Sequence, residues 1–179
     1  IEALTRGLAP ILSFTADEIW QAMPGSRSQS LFIETWYDAW PVVGPVDMGY
    51  WQHIQAIRDE VNKALEQTRK EGVIGSALAA QVIIYANEHV QALLQRLGDE
   101  LRFVLITSSA KVLPINGQLT LKHFNEQLGI AIDVTAVPHA KCERCWHRSE
   151  DVGQEESNPG LCLRCINNIS GTDEVRQYA

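Results

Sequence analysis

Over residues 1–23 the apolar side chains Leu4, Leu8, Ile11, Leu12, Ile19 and Trp20 recur at the intervals that align positions on one face of a helix. Pro10 has no amide hydrogen and must kink or break that helix, while Thr15 followed by Glu18 has the form of a capping box that restarts it. Met23-Pro24-Gly25 closes the segment. Leu31 to Pro41, with Trp36 and Trp40, reads as an extended, aromatic-rich connector. A second helix follows, because Trp51, Ile54, Arg58, Val61, Leu65 and Thr68 advance by three or four residues. Asp47 stands where an N-cap belongs and Gly72 where the helix should stop. Trp20, Trp36, Trp40 and Trp51 are expected to fill a core. Arg58, Lys63, Arg69 and Lys70 alternate with Asp59, Glu60, Glu66 and Glu71, the pattern of a solvated face.

Beyond Gly75 the period changes. Gln81 to Ala86 predicts a strand, Glu88 to Leu97 a short helix capped by Asn87, and Arg102 to Thr107 a second strand. Ile130, Ile132 and Val134 alternate with Ala131, Asp133 and Thr135, which predicts a strand with one wet face. Residues 108–129 carry no decisive pattern. The class is α+β: a helical region, a small α+β unit and a cysteine-rich end.

Composition narrows the function. Of 179 residues, 45% are hydrophobic and 21% charged, ordinary for a globular chain able to bury a core. The chain opens on Ile1 in what reads as mid-helix, so a piece of a longer protein is expected. No apolar run approaches the roughly 18 residues a membrane helix needs, and no leader pattern is evident; a cytoplasmic protein with no membrane partner is expected. A net charge of −7 argues against broad electrostatic binding to nucleic acid, so any RNA contact must be local. Paired carboxylates in a cleft, a Ser-His-Asp set and a glycine-rich phosphate loop are not evident, and no catalytic residue is expected in this chain.

All four cysteines lie in two pairs, Cys142-Glu143-Arg144-Cys145 and Cys162-Leu163-Arg164-Cys165. Each Cys-x-x-Cys turn presents two sulfurs to one tetrahedral ion, and four thiolates leave no open position for water activation. One structural Zn2+ is the expected cofactor, with Cys142, Cys145, Cys162 and Cys165 as ligands. Iron in a rubredoxin-type site and a redox pair use similar spacings, but redox cysteines sit beside a strand-helix unit not found here. The linker holds Gly153, Asn158, Pro159 and Gly160 and few large apolar residues, so the metal must hold it. His147 is expected to be a surface histidine rather than a fifth ligand.

Lys141-Cys142-Glu143-Arg144-Cys145-Trp146 with the later Cys-x-x-Cys resembles the C-terminus of bacterial isoleucyl-tRNA synthetases. The run from Leu8 to Trp20 resembles a helix of the anticodon-binding bundle of the Ile/Val/Leu class I synthetases, and Val61 to Glu66 and Ile74 to Leu78 resemble the isoleucyl enzymes' next helix and following segment. The likeness implies that residues 1–72 end the anticodon-binding bundle, 73–138 form a small α+β junction and 139–179 a zinc knuckle. It further implies an ATP-using isoleucine-tRNA ligase whose catalytic and editing domains lie upstream, since sequences like the family's His-Ile-Gly-His and Lys-Met-Ser-Lys-Ser motifs are absent here. The implied partner is isoleucine tRNA, met at its anticodon end by Lys141, Arg144, Trp146, Arg148 and Arg164. Aromatic stacking and guanidinium contacts are the usual means of holding unstacked loop bases. Two readings stay open. The basic residues would otherwise offset a zinc-thiolate charge of about −2, and Trp146 would otherwise pack the knuckle. A zinc-ribbon protein-protein module without RNA is the alternative function.

Overall fold

The computed structural model describes residues 1–40, 47–115, 123–172 and 174–178. Positions 41–46 and 116–122, which include Pro41 of the connector and part of the 108–129 stretch, lie outside the described residues. The chain divides into two compact units, Ile1–Val46 and Asp47–Ala179.

In the first unit helices α1 (Glu2–Leu8) and α2 (Ser13–Ala22) flank the break that Pro10 imposes. The restart comes two residues before Thr15, with Leu12 at the N-cap and the Ser13 hydroxyl donating back to the Ala9 carbonyl at 3.0 Å. Ala16, Trp20 and Leu31 make the buried cluster. The Trp20 indole donates to the Ser28 carbonyl at 3.1 Å, and the guanidinium of Arg27 lies 4.9 Å from its ring. Asp17 ties the connector down by accepting from Ser30 Oγ and the Leu31 amide at 2.9 and 2.8 Å. Trp36 and Trp40 correct the expectation of core tryptophans, being 71% and 65% exposed. The segment that carries them is extended and runs along α1, where Trp36 and Trp40 border a shallow cavity with Leu4 and Leu8 without being covered, and Trp40 meets Tyr37 edge-on at 5.2 Å.

The second unit begins with α3 (Met48–Lys70). Asp47 caps it by accepting from the Tyr50 amide at 2.9 Å, and Gly72, at φ 77°, ends it in the left-handed conformation that glycine adopts without steric cost. Its polar face carries the Lys63–Glu60 and Arg69–Glu66 pairs at 2.6 and 2.8 Å, a solvated stripe as expected. Its apolar face, Tyr50, Ile54, Ile57, Val61, Ala64 and Leu65, shares one core with the sheet.

That sheet has the order β2-β1-β4-β3, with β1 (Ala80–Ala86) parallel to β2 (Ser109–Pro114) and antiparallel to β4 (Ile130–Ala136), and β3 (His123–Asn125) on the far edge of β4. Val82 pairs with Val134 and Ile84 with Ile132, so the alternating apolar side chains of both strands point to the same buried face. Between β1 and β2 runs α4 (Glu88–Gln95), capped by Asn87, whose side chain accepts from the Val90 amide at 3.0 Å. A Cβ added at Gly129 (φ 64°) would come within 2.1 Å of that Asn87 side chain, so the cap and the turn into β4 depend on a glycine there.

Arg102 to Thr107 is not a strand. Leu101–Val104 is a helical turn, α5, and the parallel strand starts at Ser109. Leu101 and Leu105 lie one turn apart on the buried side, and Asp99 accepts from the Arg102 guanidinium at 2.9 Å. Ile106, at φ 57°, turns the chain, and the Thr107 amide closes the end on the Arg102 carbonyl at 2.9 Å. Local helical pairing overrides the β-like run Phe103-Val104-Leu105-Ile106.

Candidate metal centre

The knuckle is built on two turns and one short helix. Lys141 and Arg148 form an antiparallel bridge, the Cys142 amide donates to the His147 carbonyl at 2.9 Å, and the Trp146 amide returns to the Cys142 carbonyl at 2.9 Å. This loop folds Cys142 and Cys145 to one side. The second pair stands at the start of α6 (Leu163–Ile169), with Cys162 at its N-cap and Cys165 in its first turn. The Glu143 amide donates to the Gly160 carbonyl at 2.9 Å and sews the two turns together.

All four cysteines are free, and their sulfurs lie within 4.8 Å of one another. Cys145 and Cys162 are 3.7 Å apart at sulfur. Four thiolates about 2.3 Å from one tetrahedral ion would stand about 3.8 Å apart, so the cluster has the size of a zinc site. The knuckle's buried cluster consists of Cys142, Cys162 and Cys165, with Cys145, Val152 and Leu161 partly buried against them. No large apolar side chain stands at its centre.

The charges say the same. Burial pushes the Cys142 thiol up, but the amides of Cys145, Cys162 and Arg144 turn toward it and bring it down to about 6. Burial pushes Cys162 up to about 12 and raises Cys165 as well. A second and third thiolate beside the first are unfavourable unless a cation joins them, and a divalent ion is what makes all four ionise together. The donor set therefore fits one structural zinc with no open coordination position.

The five expected RNA-contact positions lie in different settings. Trp146 is 59% exposed on a backbone of φ 66°, with Lys141 Nζ 5.3 Å from its ring centroid. Arg144 is exposed but turns its Nη1 to the Cys165 sulfur at 3.7 Å. Arg148 is drawn inward, its amide donating to Ser108 Oγ at 2.7 Å and its guanidinium to the His139 carbonyl at 2.9 Å. Arg164 pairs with Glu174 at 3.0 Å and stacks 4.9 Å from the Phe103 centroid. His147 is not on the surface. It is half-buried edge-on against Phe103 at 5.6 Å, and burial, with Arg164 next, lowers its pKa and keeps it neutral. It lies outside the four-sulfur cluster.

Sequence reasoning missed the residues that seat the knuckle: Ser108, Phe103, Glu174 and Glu100. Glu100 accepts from the Gln177 and Tyr178 amides at 2.8 and 2.6 Å and fastens the chain after α6 to the α/β unit. No local spacing marks these contacts, which span up to 78 residues.

Residues 141–168 match a family described as a zinc finger found in FPG and IleRS, and residues 1–84 match the anticodon-binding domain of tRNA ligase. The isoleucine-tRNA ligase of Legionella pneumophila (strain Paris) is 56% identical over 178 residues, covering 99% of this chain and 19% of that protein. Those of Pseudomonas aeruginosa (strain UCBPP-PA14) and Shewanella amazonensis are each 46% identical over 181 residues, again 99% of this chain and 19% of theirs. The chain belongs to the isoleucine-tRNA ligase family. It spans 19% of the length of these ligases. Identity at this level covers both units, the helices of 1–46 and the α/β unit with its knuckle. Among the described residues no helix is long and apolar enough to cross a membrane.

Proposed function

We propose that this chain is the tRNA-binding C-terminal region of an isoleucine-tRNA ligase, a cytoplasmic enzyme that uses ATP to attach isoleucine to its tRNA. In this reading residues 1–72 end the anticodon-binding bundle, 73–138 form the junction and 139–179 the zinc knuckle held by Cys142, Cys145, Cys162 and Cys165. The helix α3 shares its apolar face with the sheet, so bundle end and junction rest on a common core. ATP and isoleucine are handled by upstream catalytic and editing domains, and this region binds the anticodon end of isoleucine tRNA.

One observation carries the reading. Trp146 holds a left-handed backbone, which costs a non-glycine residue roughly 1 to 2 kcal/mol, and its ring is 59% exposed rather than packed. A buried ring would repay that strain through packing; an exposed one does not, so the ring is held out for something else. Lys141 beside it adds a cation suited to phosphate. An aromatic face with an adjacent cation is the means by which unstacked RNA bases are held. Lys141, Arg144 and Trp146 form the solvent-facing part of the contact, and Arg148 and Arg164 support it from behind.

The test is kinetic, in the full-length ligase. Trp146→Ala and Lys141→Ala should retain zinc and leave isoleucine activation without tRNA unchanged, while charging of isoleucine tRNA falls about 10-fold or more for the tryptophan, the loss of one stacked base. Undiminished charging by zinc-replete Trp146→Ala enzyme would remove the residue from the contact.

A further inference from the structure

Arg144 and Arg164 occupy the third position of the two Cys-x-x-Cys turns, and each turn sends its arginine across to the other pair. Arg144 Nη1 reaches the sulfur of Cys165 at 3.7 Å. The Arg164 guanidinium lies against the sulfur of Cys145, where it is fixed by Glu174 at 3.0 Å and by stacking on Phe103 at 4.9 Å. The arrangement is reciprocal: the arginine of the first pair serves a thiolate of the second, and the arginine of the second serves a thiolate of the first. Cys142 receives its donor from the backbone instead, the Cys162 amide at 3.4 Å.

We infer that Arg144 and Arg164 are positioning residues of the zinc centre, each placing a cationic N–H donor on one thiolate of the opposite pair and thereby setting how tightly the ion is held. The inference rests on the zinc reading. Four thiolates on one divalent ion leave a net charge of about −2 in a knuckle with almost no apolar filling, and donors to coordinated sulfur are the usual way such charge is spread. Two guanidiniums balance it in number. A guanidinium stays protonated in proteins, and Glu174 at 3.0 Å with the Phe103 ring at 4.9 Å fixes where that of Arg164 stands. Lys141 and Trp146, which face away toward each other, take no part. Two of the residues expected to touch RNA thus act first on the metal.

The experiment uses the full-length ligase and reads the metal. Zinc content of the purified protein is measured first; less than one zinc in the knuckle, judged against a Cys165→Ser control, would overturn the zinc reading and the inference with it. Zinc release to excess chelator is then followed for Arg144→Ala, Arg164→Ala, Glu174→Gln and Lys141→Ala. The arginine variants are expected to lose zinc about 10-fold faster or more, within the 10- to 100-fold range of lost outer-shell partners, and Lys141→Ala at the parental rate. Glu174→Gln loosens the strap behind Arg164 without removing the guanidinium, so release slower than from Arg164→Ala is expected. In cobalt-substituted protein the sulfur-to-cobalt charge-transfer band should move to longer wavelength in both arginine variants, because an N–H donor lowers the energy of the sulfur electrons. Parental release rates and an unmoved band in Arg144→Ala and Arg164→Ala overturn the inference, as does equal acceleration by Lys141→Ala.

Discussion

The α/β part of the second unit and the knuckle attached to it are held by different physics. Around Ile84, Leu94 and Ile130, each no more than 1% exposed, the chain buries a continuous apolar core between one sheet face and the helices. In the knuckle the buried positions are the cysteines themselves. One region is stabilised by removing hydrocarbon from water, the other by sulfur atoms that are compatible with one another only through a cation. The two should therefore fail under different perturbations, and the seam between them, Ser108 with Arg148 and Phe103 with Arg164, should transmit little of either failure.

The largest effect is expected from Cys142→Ser. Zinc should fall from one per chain to none, and protease should cut within residues 139–172 while the α/β core stays resistant, because a structural zinc supplies on the order of 10 to 16 kcal/mol of apparent binding energy in small knuckles. Next comes Ile84→Ala, which leaves a cavity beneath α3 and should destabilise the α/β core by about 2 to 5 kcal/mol in urea titration with zinc content unchanged. Removing the α4 cap with Asn87→Ala should cost about 1 kcal/mol on the same scale, again without effect on the metal. The smallest effect is the most discriminating. Trp146→Gly relieves the left-handed backbone and gives up little buried surface, so the knuckle should be as stable as before or up to about 1 kcal/mol more so, yet charging of isoleucine tRNA should drop as it does for Trp146→Ala. A variant that is more stable and less active places the tryptophan in function; parental charging by it would place the tryptophan in neither.

What could be read from the sequence follows the same division. The metal motif is local, so four cysteines in two pairs were enough to place the site, and Asp47, Gly72 and Asn87 marked helix ends because capping acts over three residues. The alternation of Ile130, Ile132 and Val134 marked the buried face of β4, but of the expected wet face Ala131 is buried as well, and only Asp133 and Thr135 meet solvent. Arg102 to Thr107 was misread because a short apolar run fits a strand and a helical turn equally, and Asp99 and Leu101 just before it decide the matter. Trp36 and Trp40 were misread as core because residue type reports what a side chain favours, not whether a partner surface lies over it. Charge alone could not separate the five basic and aromatic positions at the knuckle: Lys141 and Trp146 look outward while Arg164 looks at sulfur, a difference made by Phe103, Glu174 and the turn geometry.

Hydrogen exchange on the full-length ligase, before and after zinc is withdrawn with chelator, tests most directly that the knuckle has a metal in place of a core. Amides of residues 139–172 should lose protection on chelation and recover it when zinc returns, while those of β1 and β4 stay protected throughout. Loss of protection in β1 and β4 together with the knuckle, or a knuckle still protected without metal, would contradict it.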